Sequence, residues 1–326
     1  MIEGFVKPVY SQFRSVAAQL SDDMETLCAD QSPDKLAAVQ SKFLTLVNAW
    51  SEAEIIRFGP VAEENRLERI LFWPDRKSTG LKQVQAALAD KDATATDPVT
   101  LKDKSVAMQG LGALEFVLFG TGSEALNEPG DPYRCAYGRA IAHNLADMAT
   151  AIDEDWQDPA GIAQKWASFG AENPLYRTDQ EAMTELFNVF VHGLEMVRDV
   201  RLNGFLGDRA DDDKPKQAIY WRSGSTVISI KANLNGMRTL FDVSGLVGLL
   251  PAESQWISQS IGFEFDAGEV MLDRAAGPIL EVLEDQDKRQ ALAVTRLITS
   301  HLSELFGVTL AGKLGLSAGF SSLDGD

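Results

Sequence analysis

The stretch SPDKLAAVQSKFLTLVNAW, residues 32–50, decides the fold class. Its apolar residues Leu36, Val39, Phe43, Leu46, Val47 and Trp50 fall mostly three or four apart, which gathers them on one face of an α-helix. Ser32 is a good N-cap, and Pro33 occupies the first helical position, where its missing N–H costs nothing. Similar patterning covers residues 8–28, 105–118, 134–155, 179–202, 216–241, 252–266 and 284–306. Thr178-Asp179-Gln180-Glu181 reads as a capping box, and Asp158-Pro159 as a further N-cap and N1 pair. The one strand-like run, STVISI at 225–230, flows into KANLNGMRTLF and is read as helix. The expected fold is all-α, built as two antiparallel helical bundles.

Gly, Pro and Asp cluster at 59–65, 73–80, 90–100, 120–132, 170–177 and 204–217, which marks loops. The break near 170–178 divides the chain into an N-terminal bundle, 1–172, and a C-terminal bundle, 173–326. LGALEFVLFG (111–120) and HGLEMVRDVRLNG (192–204) both set a Glu shortly after a Gly and end in Gly. They hint at internal duplication, although amphipathic helices produce such likeness by chance.

Composition narrows the function. With 45% hydrophobic residues, the 326-residue chain can form a sizeable core. Thirty basic against 48 acidic residues give a net charge of −18, which argues against a broad surface for nucleic acid or anionic lipid. The acidic excess suits a cation or cationic partner better than an anion. No run of 18 apolar residues occurs, so no transmembrane helix is expected. Residues 1–20 lack a basic n-region followed by an apolar run. Two cysteines exclude a four-thiolate zinc site, and three histidines leave little room for a His-rich cage. The Gly-Thr-Gly-Ser run at 120–123 is followed by Glu124 rather than the lysine of a phosphate loop.

Three segments carry chemistry. RFGPVAEENRLERILFWPD (57–75) is either a packed corner, with Trp73 in the core and Arg69 on a local acid, or one wall of a polar cleft that includes Asp75. QGLGALEFVLFG (109–120) sets Glu115 alone in an apolar helix, where a charge needs a partner, Arg69 or Arg139, or a metal. Gly110 and Gly112 weaken that helix but admit a second backbone or a ligand. YWRSGS (220–225) brings Arg222, Ser223 and Ser225 to a helix start, which can hold an anion or simply cap the helix.

Taken together, RFGPV with RILFWPD, the G-x-x-x-x-E followed by FVLFG, and YWRSGS with IKANLNGMRTL resemble the imelysin-like family of insulin-cleaving membrane protease and iron-regulated protein A. The resemblance runs in order from about residue 36 to 305. It implies two helical bundles, export to the periplasm or outer membrane as a lipoprotein, and a link to bacterial iron uptake. The family pattern G-x-H-x-x-E sets His and Glu one turn apart, a spacing suited to a metal. Here Gly110 and Glu115 match, but Gly112 stands at the histidine position. That loss argues against a metallopeptidase, which needs a metal-bound water and a base.

His192 and Glu195 form an H-x-x-E pair that could substitute, giving Glu115, His192 and Glu195 as a candidate set for iron or another divalent metal. His301 with Glu304 repeats the spacing, and His143 with Asp147 is a further pair, so the pattern arises cheaply. Arg69, Trp73, Asp75, Gly112, Glu115, Arg222, Ser223 and Ser225 are the expected cleft residues. In an exported chain Cys28 and Cys135, both at helix ends, are candidates for one disulfide. The expected function is an exported, non-catalytic protein binding iron, a siderophore or another ligand between its bundles, with iron, another metal or no cofactor. The alternatives are an envelope interaction protein without a small ligand and a metallopeptidase rescued by His192. The expected partner is an unidentified ligand or envelope protein and not nucleic acid, with a lipid anchor in the precursor.

Overall fold

The computed structural model describes residues 1–316 and is helical throughout, with no strand among the described residues. Among the described residues nine longer helices carry the architecture: α1 (Lys7–Ala29), α2 (Pro33–Ala53), α3 (Thr79–Asp90), α4 (Leu111–Phe119), α5 (Pro132–Gln157), α6 (Asp179–Glu195), α7 (Thr226–Ser244), α8 (Trp256–Arg274) and α9 (Gln286–Glu304). Short polar side chains start several of them. Ser32 accepts from Lys35 N, Asp131 from Arg134 N, Thr178 from Glu181 N, and Asp285 from the backbone N–H groups of residues 287 and 288. Each satisfies N–H groups that a helix start leaves unpaired.

Three boundaries differ from the periodicity. Residues 216–225 form short turns, because Tyr220 and Gly224 take left-handed backbone that no helix accepts, and α7 begins only at Thr226. The pattern at 105–118 resolves into a short turn at Val106–Met108 and then α4. Asp158 accepts from Ala160 N in a tight turn rather than capping a helix, and the next helical turn opens at Ile162.

In the first half, α1 packs against α2 and α5. Trp50, Trp156, Phe13 and Phe43 are fully buried there, with Phe13 and Trp50 ring centroids 5.1 Å apart. In the second half, α8 packs on α7 and α9, and α6 on α9. Phe190 stacks on Phe306 at 4.3 Å, and Phe241 meets Phe306 edge-on. Cys28 and Cys135 are joined, with Cα atoms 5.6 Å apart, tying the end of α1 to the start of α5.

The halves meet along α2 and α7, and one apolar cluster runs through both. The contact also contains a buried polar network. Glu54, at the end of α2, accepts from Arg201 at 2.6 Å and from Asn233 Nδ2 at 2.8 Å. Arg201 also donates to Ser229 Oγ, which lies 2.8 Å from Ser51 Oγ, and Asn233 Nδ2 reaches Ser51 O at 2.6 Å. Both side chains of the ion pair are at most 3% exposed. Two charges removed from water stay bound only while each keeps its partner.

Arg201→Met is expected to destabilise the protein by about 3–5 kcal/mol, the penalty of an orphaned buried carboxylate, and adding Glu54→Gln to recover part of it; a double-mutant cycle in urea measures both. Replacing both cysteines by serine removes a link across 107 residues and is expected to lose about 4–5 kcal/mol by chain entropy, read from the same urea midpoints.

Candidate functional site

The site begins with the 57–75 segment. A five-residue helix, Arg66–Ile70, ends at Leu71, whose extended backbone starts a run that carries Trp73 and Pro74 across a cis peptide bond. Asp75 then turns the chain into α3 by accepting from Thr79 N at 2.7 Å and Leu81 N at 3.1 Å. Asp75 is therefore held as a cap at the groove edge. The start of α4 lies directly under this segment. A Cβ at Gly110 would sit 2.3 Å from Ile70 O and 2.4 Å from Arg69 O, so only glycine permits the approach. Gly112 is the opposite case: nothing lies within 4 Å of a Cβ built there.

Glu115, on the buried side of α4, is 4% exposed. Its Oε1 accepts from Arg222 N at 3.1 Å and Ser223 N at 2.9 Å, and Ser223 Oγ lies at 3.0 Å. These donors belong to the turn that Tyr220 opens with φ +54°. The turn thus holds an anion, and that anion is a carboxylate of the same chain. Burial raises the carboxyl pKa of Glu115, while the Ser223 N–H and the Arg222 charge pull against the rise. The folded chain therefore holds a proton on Glu115 more tightly than the unfolded chain does. The stability this gives is present below the ordinary carboxylate range and is lost as pH rises through the raised pKa.

Two cavities flank the 71–75 segment, and Trp73, Pro74 and Val200 line both. The first, of about 480 Å³, is lined by Trp50, Glu54, Arg57, His192, Glu195 and Arg201 among others. The second, of about 540 Å³, is lined by Asp75, Glu115, Trp221 and Arg222, with Arg76, Asp199, Lys214 and Lys216. A small recess of about 80 Å³ beside it joins Gly112 and Glu115 to Trp73, Asp75 and Arg222. Trp73, Asp75, Gly112, Glu115 and Arg222 are thereby brought together, with Ser223 behind Glu115.

Three expectations are corrected. Arg69 does not reach this groove. The turn after Ile70 sends Trp73 one way and leaves Arg69 facing α5, where it donates to Gln109 Oε1 at 2.9 Å and Asn144 Oδ1 at 3.1 Å. Arg139 pairs with Glu25, so neither arginine neutralises Glu115. Ser225 is fully buried beneath the turn and lines neither of these two cavities. The proposed metal set of Glu115, His192 and Glu195 does not assemble, because His192 and Glu195 line the first cavity and Glu115 the second. Among the described residues no three His, Cys, Asp or Glu side chains are placed to hold a metal ion, so the residues present do not fit a bare metal. His143 pairs with Asp147 in the separate cavity that contains Arg69, and His301 with Glu264 rather than Glu304.

Sequence reasoning missed Glu54, Arg201 and Asn233 at the half-to-half contact, and Arg76, Lys214 and Lys216 in the groove. A Glu amid SEAEII and an Arg amid VRDVRL were the available signal for the first two, as charges set in apolar helix. The contrast between the two glycines is testable. Gly110→Ala meets backbone oxygens that cannot yield and is expected to destabilise by about 3 kcal/mol. Gly112→Ala meets open space and is expected to stabilise by up to about 1 kcal/mol through helix propensity. Thermal unfolding of the two variants measures the difference.

Comparison with known proteins follows the same lines. The imelysin family model, classed as peptidase M75, matches residues 6–303. Iron-regulated protein A of Synechococcus elongatus is 24% identical over 243 residues, 72% of this chain and 62% of that protein, so the match spans less than two thirds of the relative. The crystal structure of an imelysin-like protein from Psychrobacter arcticum 273-4 superposes with a TM-score of 0.78 at 21% identity, covering 98% of this chain and 94% of that one. The crystal structure described as an iron-regulated protein A precursor from Parabacteroides distasonis ATCC 8503 superposes at 0.71 with 13% identity, covering 94% and 92%. At these identities the two structures speak for the fold alone. The family match spans nearly the whole described chain, and this protein belongs to the imelysin family.

Proposed function

We propose that this chain is an exported, non-catalytic binding protein of the cell envelope, linked to iron acquisition. Its ligand would lie in the groove around Trp73, with the bundles 1–172 and 173–326 as the two walls. The observation that carries this reading is the combination at α4. The groove is built and open, and Glu115 is fixed in it, but Gly112 supplies no ligand atom beside Glu115. A bare cation finds one carboxylate oxygen already occupied by three donors. A larger ligand that brings its own donors needs only a shaped, polar wall.

The iron link rests on the names of the relatives, iron-regulated protein A and its precursor. Export is supported by the word precursor and by the Cys28–Cys135 bridge, which persists in oxidising compartments. Peptidase chemistry is not proposed, because the cavity that holds Glu115 has no imidazole beside that carboxylate, and His192 lines the other cavity.

Elemental analysis of protein purified without chelators, followed by ferrous, ferric and zinc titration, tests the reading. Wild type is expected to bind no metal ion tighter than roughly 10 μM, near −7 kcal/mol, and to leave casein uncleaved. Gly112→His, which meets no steric obstacle, is expected to gain affinity by placing an imidazole one turn from Glu115. A stoichiometric metal in wild type that disappears in Glu115→Gln overturns the reading.

A further inference from the structure

The net charge of −18 makes one feature of the second cavity unexpected. Arg76, Lys214, Lys216 and Arg222 all line it. None of the four has a carboxylate within salt-bridge distance among the described residues. The acids that share the cavity are committed elsewhere. Asp75 caps α3 through two N–H groups. Asp199 takes both arms of Arg198, at 2.6 and 2.9 Å. Glu115 is taken by the turn at 220–224. Forty-eight acidic residues were available to pair with these cations, and among the described residues none of the four has a salt bridge, Glu115 acting on Arg222 only at longer range.

Trp221 holds two of the four in place. The Arg222 guanidinium lies 4.5 Å from its ring centroid and Lys216 Nζ 5.7 Å, and Arg222 also stands 5.4 Å from the Phe116 ring. A π face fixes a cation without cancelling its charge, unlike a salt bridge. Arg222 is thereby presented as a flat, oriented fork of donors, the arrangement that grips a carboxylate in two parallel hydrogen bonds. Burial lowers the Arg222 pKa, opposed by the charge of Glu115, so a bound anion would add to the charge that offsets that burial.

We propose that this cavity is an anion-binding site for an organic polycarboxylate, gripped by Arg222 and flanked by Arg76, Lys214 and Lys216, with Trp73 as its apolar wall. The inference rests on the groove reading above and reverses the expectation drawn from composition, since the ligand is the anion. A ferric ion wrapped in excess carboxylates falls in this class and needs no protein ligand.

Two probes with one ring and opposite charge test it: benzene-1,3,5-tricarboxylate and 1,3,5-tris(aminomethyl)benzene, titrated against tryptophan fluorescence and by calorimetry. The tricarboxylate is expected to bind, with affinity falling as salt is added and falling about tenfold in the Lys214→Gln/Lys216→Gln variant. Both lysines are solvent-facing, so that variant is expected to keep the wild-type unfolding temperature. Lys214→Glu/Lys216→Glu is expected to lower affinity further. Binding of the triamine alone, lost in Trp73→Ala, overturns the charge assignment and leaves the groove reading standing. Binding of neither probe at millimolar concentration overturns both. Tricarboxylate binding unchanged in Lys214→Gln/Lys216→Gln and in Arg222→Gln places the anion elsewhere and overturns the site.

Discussion

The buried pair of Glu54 and Arg201 is the constraint on which the rest of this molecule depends. Helices within one half can slide and repack on apolar contacts, which carry little direction. A charged pair at 2.6 Å, both partners at most 3% exposed, cannot. Its attraction is repaid only at one geometry, and Asn233, Ser229 and Ser51 narrow that geometry further. The pair therefore fixes how the end of α2 meets α7 and the π-helical segment Met196–Leu202 that follows α6. The groove is the space left beside that junction, and Glu54 and Arg201 themselves line its first cavity.

A second crossing contact fixes the other side of the groove. Gly110 lets the 69–70 backbone settle on α4, which sets the rotation of that helix. That rotation buries Glu115, whose carboxylate collects the turn at 220–224 and so orients Arg222 against Trp221 and Phe116. In both crossings the first half supplies the acid and the second half the donors. The acidic surplus of the chain is thus partly structural, since two of its carboxylates serve as internal fasteners.

The fold was legible because periodicity and caps are local. Leu36 to Trp50 needed no distant information to read as helix, and neither did Thr178 with Glu181. Glu115 was legible as an anomaly, a lone charge among apolar neighbours, but its partners were not. They lie 107 and 108 residues away and are mostly backbone N–H groups, which leave no trace in residue type. Glu54 and Arg201 are 147 residues apart, beyond any pattern that spacing can show. Arg69 was misplaced because a single turn after Ile70 decides which side it faces. Ser225 was misplaced because residue type does not report burial: it sits fully buried at the start of α7, where its hydroxyl caps nothing. The H-x-x-E at 192–195 shows the reverse error: a correct one-turn relation says nothing about which cavity the pair enters.

Position 112 carries a different lesson. The packing of α4 asks nothing of it, since no atom lies within 4 Å of where a side chain would start. Packing and side-chain chemistry are therefore set at different positions of one helix turn. Gly110 and Glu115 are anchored by backbone contacts, whereas position 112 can take a side chain without disturbing either. The packed positions account for the scaffold, and the open slot is where a new ligand atom can be added without cost to it.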